Sequence, residues 1–352
     1  LLLRPYTQNG AFCPDYTAGE RSNLVDRIRA QVNDKRYYAL SRLTQLMCEE
    51  EAFGVDKLGD ERHAAALTPR KLWQRYQELL STAEIQLYYC GSAAPDRVAE
   101  ALSAALSGLP RSNERVEDAV RAIAQRLPQG ERTPVPHPVK GSAPAKPRRV
   151  EEALDVTQGK LALGFRTGGI TCWEEDYPAL VMCNAVFGAT PLSKLFLNVR
   201  EKRSLCYYAS SGLMKYKDVM LVSSGVEFDK VGQAQDEILA QLEAVRRGEI
   251  EDWELEGARR TLIGGHRSTL DDQSRLEEFW LGQTAAGLDT GIKELVEGLN
   301  PFWVVQQVIG RAFYARQNTL TPAIVGTVAT LAALPVYPLA VKLWGAFGVA
   351  ML

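Results

Sequence analysis

Histidine is the scarcest ionisable side chain in this 352-residue sequence: only His63, His137 and His266 occur, and no two stand within a helical turn of each other. That excludes a helix gripping a metal through two imidazoles at i and i+4. Six cysteines (Cys13, Cys48, Cys90, Cys172, Cys183, Cys206) are scattered without one C-x-x-C pair. With no secretory leader at the start, they read as reduced thiols packing a cytosolic body rather than as a disulfide frame or zinc knuckle. There is no excess of either charge: the net is -2 and the signs are interspersed. A nucleic-acid partner, which needs a basic stripe, is set aside. G-x-x-x-x-G-K-[ST] and G-x-S-x-G are both absent, which removes phosphate-loop and serine-hydrolase chemistry.

What is present is ordinary globular material, 46% hydrophobic and 24% charged, long enough for about two domains. Leu24, Ile28 and Val32 predict an amphipathic helix over 20–32, and Leu40, Leu43 and Met47 a second after the Asn33-Asp34 break. Thr68-Pro69 is an N-cap with proline at the first helical position, opening a third helix with Leu72, Trp73, Tyr76, Leu79 and Leu80 on its buried face. Ile85, Leu87 and Tyr89 alternate as a half-buried strand ending at Gly91. Val98, Leu102 and Leu106 give a helix ending at Gly108. Between 128 and 147 stand six prolines (Pro128, Pro134, Pro136, Pro138, Pro144, Pro147). That composition stays extended and semi-rigid, and it predicts a linker.

Beyond the linker, Leu161, Leu163 and Phe165 alternate as a strand, and a helix covers Tyr177 to Phe187. Cys206 to Leu213 is a strand, and Val219 to Val226 is an apolar run typical of a strand covered on both faces. Ile238, Leu242 and Val245 mark a helix ended by Gly248, and Leu255, Ala258 and Leu262 another. Strands interleaved with helices predict α+β, a sheet with helices on one side.

The stretch from Gly188 to Gly212 organises this half. Leu192, Leu195, Phe196 and Val199 form one apolar face of a short helix, closed by Arg200-Glu201-Lys202-Arg203, so that Arg200 and Tyr207 flank the passage from helix to sheet. The run resembles the C-terminal-domain signature of the M16 metallopeptidase family, S-x-L-F-x-x-V-R-E-K leading to L-x-Y. In that family a substrate-binding Arg and Tyr stand seven residues apart, as Arg200 and Tyr207 do. Thr157 to Leu161 and the late run Arg275-Leu276-Glu277 with Phe279 to Gln283 resemble one bacterial branch, the YfmF type associated with modification of elongation factor P. The resemblance covers 1–298. It implies two M16-type α/β-sandwich domains, 1–126 (truncated at its N-terminus) and 151–298, joined by a hinge at 127–150 and closing like a clam shell.

The same resemblance raises the question of zinc. M16 peptidases carry an inverted H-x-x-E-H helix and a distant third ligand Glu, and no such motif is present. If Glu20-Arg21 marks the start of the third-ligand region, Arg27 stands where that ligand should be, and a guanidinium has no lone pair to offer a metal; a register one residue shorter puts Asp26 there instead. No catalytic residue, metal ligand or cofactor is assigned, and zinc is expected only on a partner.

Residues 301–352 carry three basic side chains (Arg311, Arg316, Lys342) and no acidic one, and 317–341 are uncharged. Twenty-five such residues suffice to cross about 30 Å of hydrocarbon. Gln306 to Pro322 is similar to a segment of the MurJ/MviN family of lipid II flippases, with Asn318 where that family has Asp. An apolar helical tail over 299–352, appended from another protein, is expected, with membrane contact through 317–341. The chain also begins without Met and reads as a piece of something longer.

The expected function is a non-catalytic M16 homologue that binds extended peptide through Arg200 and Tyr207, pairs with a zinc-bearing M16 subunit and is linked to elongation factor P modification. Its expected place is the cytoplasm, with membrane association through the tail. The alternatives are a fragment of an active zinc metalloendopeptidase that has lost its H-x-x-E-H helix, and a membrane fusion anchored by the MurJ-like tail.

Overall fold

A computed structural model describes residues 3–299 apart from 84, 86, 110 and 112–146. The linker prolines Pro128 to Pro144, with His137, and the expected tail from residue 300 onward lie outside the described residues. Membrane contact through 317–341 therefore rests on composition alone. Among the described residues no helix is long and apolar enough to cross a membrane.

The first part opens with a hairpin, β1 (Thr7–Gln8) and β2 (Ala11–Phe12), followed by α1 (Pro14–Ala30). This helix starts six residues before the expected Glu20, because proline at the first position is already set for helix. Next comes α2 (Lys35–Met47), capped by the Asp34 carboxylate accepting the Tyr37 N–H at 2.9 Å. A short α3 (Glu61–Ala65), which apolar spacing does not announce, is capped by Asp60, and α4 (Pro69–Thr82) by Thr68 as expected. Trp73 and Tyr76 of α4 hold Phe12 of β2 at 5.2 and 5.4 Å between ring centroids. The helix expected at Val98 is α5 (Pro95–Leu106).

Among the described residues no strand forms at Ile85 to Tyr89, against expectation. Residues 85 and 87–90 join no ladder, and Ile85, Leu87 and Tyr89 are exposed. Alternation supplies a strand with an apolar face, but its backbone also needs a neighbour to bond, and among the described residues none runs alongside.

In the second part, β3 (Gly159–Arg166), β4 (Cys206–Leu213) and β5 (Val219–Val226) form an antiparallel sheet in the order β3-β5-β4. Both β4 and β5 have the bounds expected from sequence. On one face Met220, Val222 and Val226 of β5 join Leu161, Leu163 and Phe165 of β3 in the main core. Helices cover that face: α6 (Tyr177–Asn184), which continues as wide π-turns over Ala185–Ala189, α7 (Val231–Arg246) and α8 (Asp252–Thr269). Then follow α9 (Gln273–Ala285) and α10 (Ile292–Gly298).

The other face is not open, which corrects the expectation of helices on one side. Val219 and Leu221 pack with Leu40, Leu43 and Met47 of α2. Gly164 makes that approach possible: a Cβ there would strike Met47 Sδ and come within 3.4 Å of Leu43 Cδ1. β5 is thus buried along its whole length, as its mostly apolar run implied.

Four charges lie between α2 and the sheet. Arg166 Nη2 donates to Glu51 Oε1 at 2.7 Å and to the Met47 carbonyl at 2.7 Å, and its Nη1 reaches Asp218 Oδ1 at 3.2 Å. Lys217 pairs with Glu51 Oε2 and lies 3.7 Å from Asp218 Oδ1. Burial pushes the Glu51 carboxyl up, but hydrogen bonds from Lys217 and Arg166 outweigh it, and the net result lies below the ordinary glutamate value. A carboxylate depressed in the folded state contributes stability above its unfolded pKa, about 4.3, and loses it as pH falls through the folded value. Thermal melts of the wild type should therefore drop steeply below about pH 4.3. Glu51→Gln should begin lower and fall less over the same acid range. Parallel curves would remove Glu51 from the acid response.

Candidate functional site

The helical segment after the π-turns runs from Leu195 to Lys202, again with wide π-type turns, a feature that often accompanies functional sites. Leu195 and Val199 are fully buried, whereas Leu192, expected on the same face, is exposed and precedes the helix. The segment is pinned on several sides. Lys194, at its start, makes a buried ion pair with Glu254 of α8 at 2.8 Å. Asn198 donates to Gln241 at 2.8 Å, and Arg203 reaches Glu237 at 3.0 Å, both on α7.

The basic run expected to end the helix lies mostly inside it. The reversal comes at Ser204, which adopts a left-handed φ of 50°. Its N–H and that of Leu205 return to the carbonyls of Arg200 and Val199, each at 3.0 Å, satisfying the helix end as a C-terminal cap does.

Arg200 therefore sits in the last turn, where a cation suits the helix dipole. Its guanidinium lies 4.7 Å from the Phe196 ring centroid and 3.5 Å from Glu201 Oε1, with the side chain 41% exposed. Two residues past the cap, β4 pairs Cys206 with Val226 and Tyr208 with Gly225, so Tyr207 is the extra residue of a β-bulge. A bulge re-aims a side chain out of the ladder. Tyr207 is 59% exposed, and its hydroxyl donates weakly to Glu227 Oε1 at 3.4 Å. Tyr207 follows Cys206 in β4, and the Cys206 thiol is pushed up by burial and eased down by a hydrogen bond from Ser224 and the Arg200 charge. Arg200 and Tyr207 each have their own carboxylate neighbour, Glu201 for one and Glu227 for the other.

Sequence reasoning passed over Tyr208. Its ring faces Arg36 of α2 at 4.6 Å and Lys160 of β3 at 5.8 Å, and Arg36 also donates to Ser210 Oγ at 2.9 Å.

All six cysteines are free thiols. Burial raises Cys172 and Cys183 to about 11, which suits packing and not nucleophilic attack. His63 is exposed and paired with Asp60, and His266 is half-buried, its pKa lowered by burial and then by Lys215. Among the described residues no three His, Cys, Asp or Glu side chains are grouped to hold a metal. Glu20 and Arg27 both lie along α1. A catalytic zinc with three protein ligands and an open position does not fit the described residues, and no step is assigned to one.

Against known proteins, the model of the Peptidase M16 inactive domain matches residues 66–262. The chain belongs to the M16 peptidase family. Among its M16 relatives, the "Probable inactive metalloprotease YmfF" of Bacillus subtilis is 29% identical over 299 residues, 85% of this chain and 65% of the relative. The chain thus spans just under two thirds of that protein's length. The "Uncharacterized zinc protease YmxG" of the same bacterium is 26% identical over 149 residues, 42% of this chain and 36% of YmxG. Among solved structures, a conserved protein from Enterococcus faecalis superposes with a TM-score of 0.73 at 24% identity, covering 88% of this chain and 69% of that one. An M16 inactive domain from Pseudomonas fluorescens gives 0.59 at 19% identity, covering 85% and 68%. These likenesses bear out the M16 resemblance and the mixed helix-and-sheet fold.

Proposed function

We propose that this chain is a non-catalytic M16 subunit that holds an extended peptide at the Arg200 and Tyr207 corner and works beside a zinc-bearing M16 chain. The observation that carries the reading is the bulge: Tyr207 is turned out of the ladder just past the helix end that bears Arg200, and both side chains are exposed on a well-packed frame. A guanidinium and a phenol can fix the carbonyls or carboxylate of a strand-like guest, while backbone pairing supplies affinity. The match to the M16 inactive domain supports a role without chemistry of its own. In this proposal 1–126 and 151–298 act as two M16-type halves about the proline-rich hinge. The branch resemblance points to a process connected with elongation factor P modification.

The test is co-purification of the full chain with a zinc-bearing M16 homologue, followed by peptide cleavage by the pair. Arg200→Ala and Tyr207→Phe should each weaken peptide capture by about tenfold or more, since a hydrogen bond to a charged group is worth about 1.5–3 kcal/mol. Their melting curves should stay close to wild type, because both side chains are exposed. Stoichiometric zinc on the isolated chain with unaided peptide cleavage would overturn the reading, as would unchanged capture by both variants.

A further inference from the structure

A second, independent site lies at the other end of β4, roughly 20–25 Å away at about 3.3 Å per strand residue. A shallow, open hollow of about 340 Å³ is lined by Lys215 and Tyr216 of the β4–β5 hairpin tip, Thr269 at the end of α8, and Arg275, Glu278, Phe279 and Gly282 of α9. The α9 residues fall at i, i+3, i+4 and i+7, one face of that helix. Gly282 admits the tyrosine ring: a Cβ there would lie 2.8 Å from the Tyr216 oxygen, which instead donates to the Gly282 carbonyl at 3.2 Å.

Lys215 sets the chemistry. Its half-buried ammonium donates to Gln283 Oε1 at 2.7 Å and lies 5.1 Å from the Tyr216 ring centroid. The Gln283 amide is itself buried and oriented by donating to the Thr290 carbonyl at 2.7 Å, so its oxygen is held toward Lys215. The other groups that sense this ammonium are the Cys172 thiol, kept protonated by burial, and the His266 imidazole, which burial and Lys215 together keep neutral. Among the described residues no carboxylate pairs with Lys215. An ammonium has three donors, and Gln283 occupies one.

Arg275 brings a second cation, held only loosely by Asp272 at 3.6 Å. Glu278 is the one acidic lining residue, and it disfavours a guest with two negative charges. Tyr216 and Phe279 form the apolar walls.

We infer that this hollow binds a monocarboxylate carried on an apolar or aromatic group, with Lys215 and Arg275 on the carboxylate and Tyr216 and Phe279 against the apolar part. A small aryl acid and the free C-terminus of a peptide ending in a large apolar residue share this chemistry. The inference does not rest on Arg200 or Tyr207.

The test is calorimetric titration of the full chain with N-acetyl-phenylalanine, with N-acetyl-phenylalaninamide, and with the acetylated tetrapeptide Ala-Ala-Ala-Phe bearing a free or an amidated end. The acid should bind at least tenfold more tightly than its amide. Lys215→Met and Arg275→Gln should each lose at least tenfold. If the free tetrapeptide matches or exceeds the single amino acid, the natural guest is a peptide end; if only the single amino acid binds, it is a small acid. Equal binding of acid and amide, or wild-type binding by Arg275→Gln, overturns the inference. Arg275 is largely exposed, so that variant decides the matter even if Lys215→Met fails to fold.

Discussion

Replacing Lys217 with methionine should lower the unfolding free energy by about 3–5 kcal/mol, the usual consequence of removing one partner from a buried ion pair. Lys217 is 1% exposed, and the carboxylates it faces, Glu51 and Asp218, are 14% and 1% exposed. Without it, two buried carboxylates share the single guanidinium of Arg166, and Asp218 Oδ2 already has no hydrogen-bond partner. Total stabilities of domains run about 5–15 kcal/mol, so the variant should sit near its unfolding midpoint at much lower urea. The reason is an orphaned charge, not lost attraction, and this makes a second result follow. Lys217→Met combined with Glu51→Gln should be less destabilised than the two single changes added together, because the double variant removes a positive and a negative charge. Urea titrations of the four proteins read both numbers. A loss below about 1 kcal/mol in Lys217→Met would mean that water reaches the cluster.

That cluster also shows where sequence reasoning ran out. β4 and β5 were legible residue for residue, because a run rich in Cys, Tyr and Ala and a mostly apolar one are local signals. So were the break at Asn33-Asp34, the cap at Thr68, and the family signature around Arg200. Nothing local, however, tells Glu51 that it will meet Arg166 and Lys217, more than a hundred residues further on. In sequence it stands in an acidic run, Glu49-Glu50-Glu51, that reads as a solvated face. The placement of α2 over the second face of the sheet was hidden for the same reason. Its one trace, Gly164 in the middle of an apolar strand, acquires meaning only once Met47 is seen against it. The bulge at Tyr207 was likewise invisible, since one extra residue in a strand leaves its composition unchanged. The strand expected at Ile85 to Tyr89 is the converse case: the local pattern is there, and among the described residues no neighbouring backbone pairs with it.

Phe187→Ala should cost about 3–5 kcal/mol by a different route, the lost transfer energy of an aromatic ring plus the cavity left in a core that collapses only partly. Phe187 is 1% exposed and shares the main core with Leu195, Val199 and Leu205, the residues that seat the helix bearing Arg200 and the cap that follows it. Amide exchange across 195–205 should therefore quicken in this variant, while the α2 side of the sheet keeps its protection. The comparison with Lys217→Met is the sharper test. Phe187 belongs to the core on one face of β5, and the four-charge cluster lies toward α2 on the other, with no shared partner. Changes that share no partner add to within about 0.5 kcal/mol, so a mild urea titration of the double variant should return the sum of the single losses. A coupling well above that value would mean that β5 carries strain from one face to the other. The corner at Arg200 and Tyr207 would then be set in part by how α2 is held.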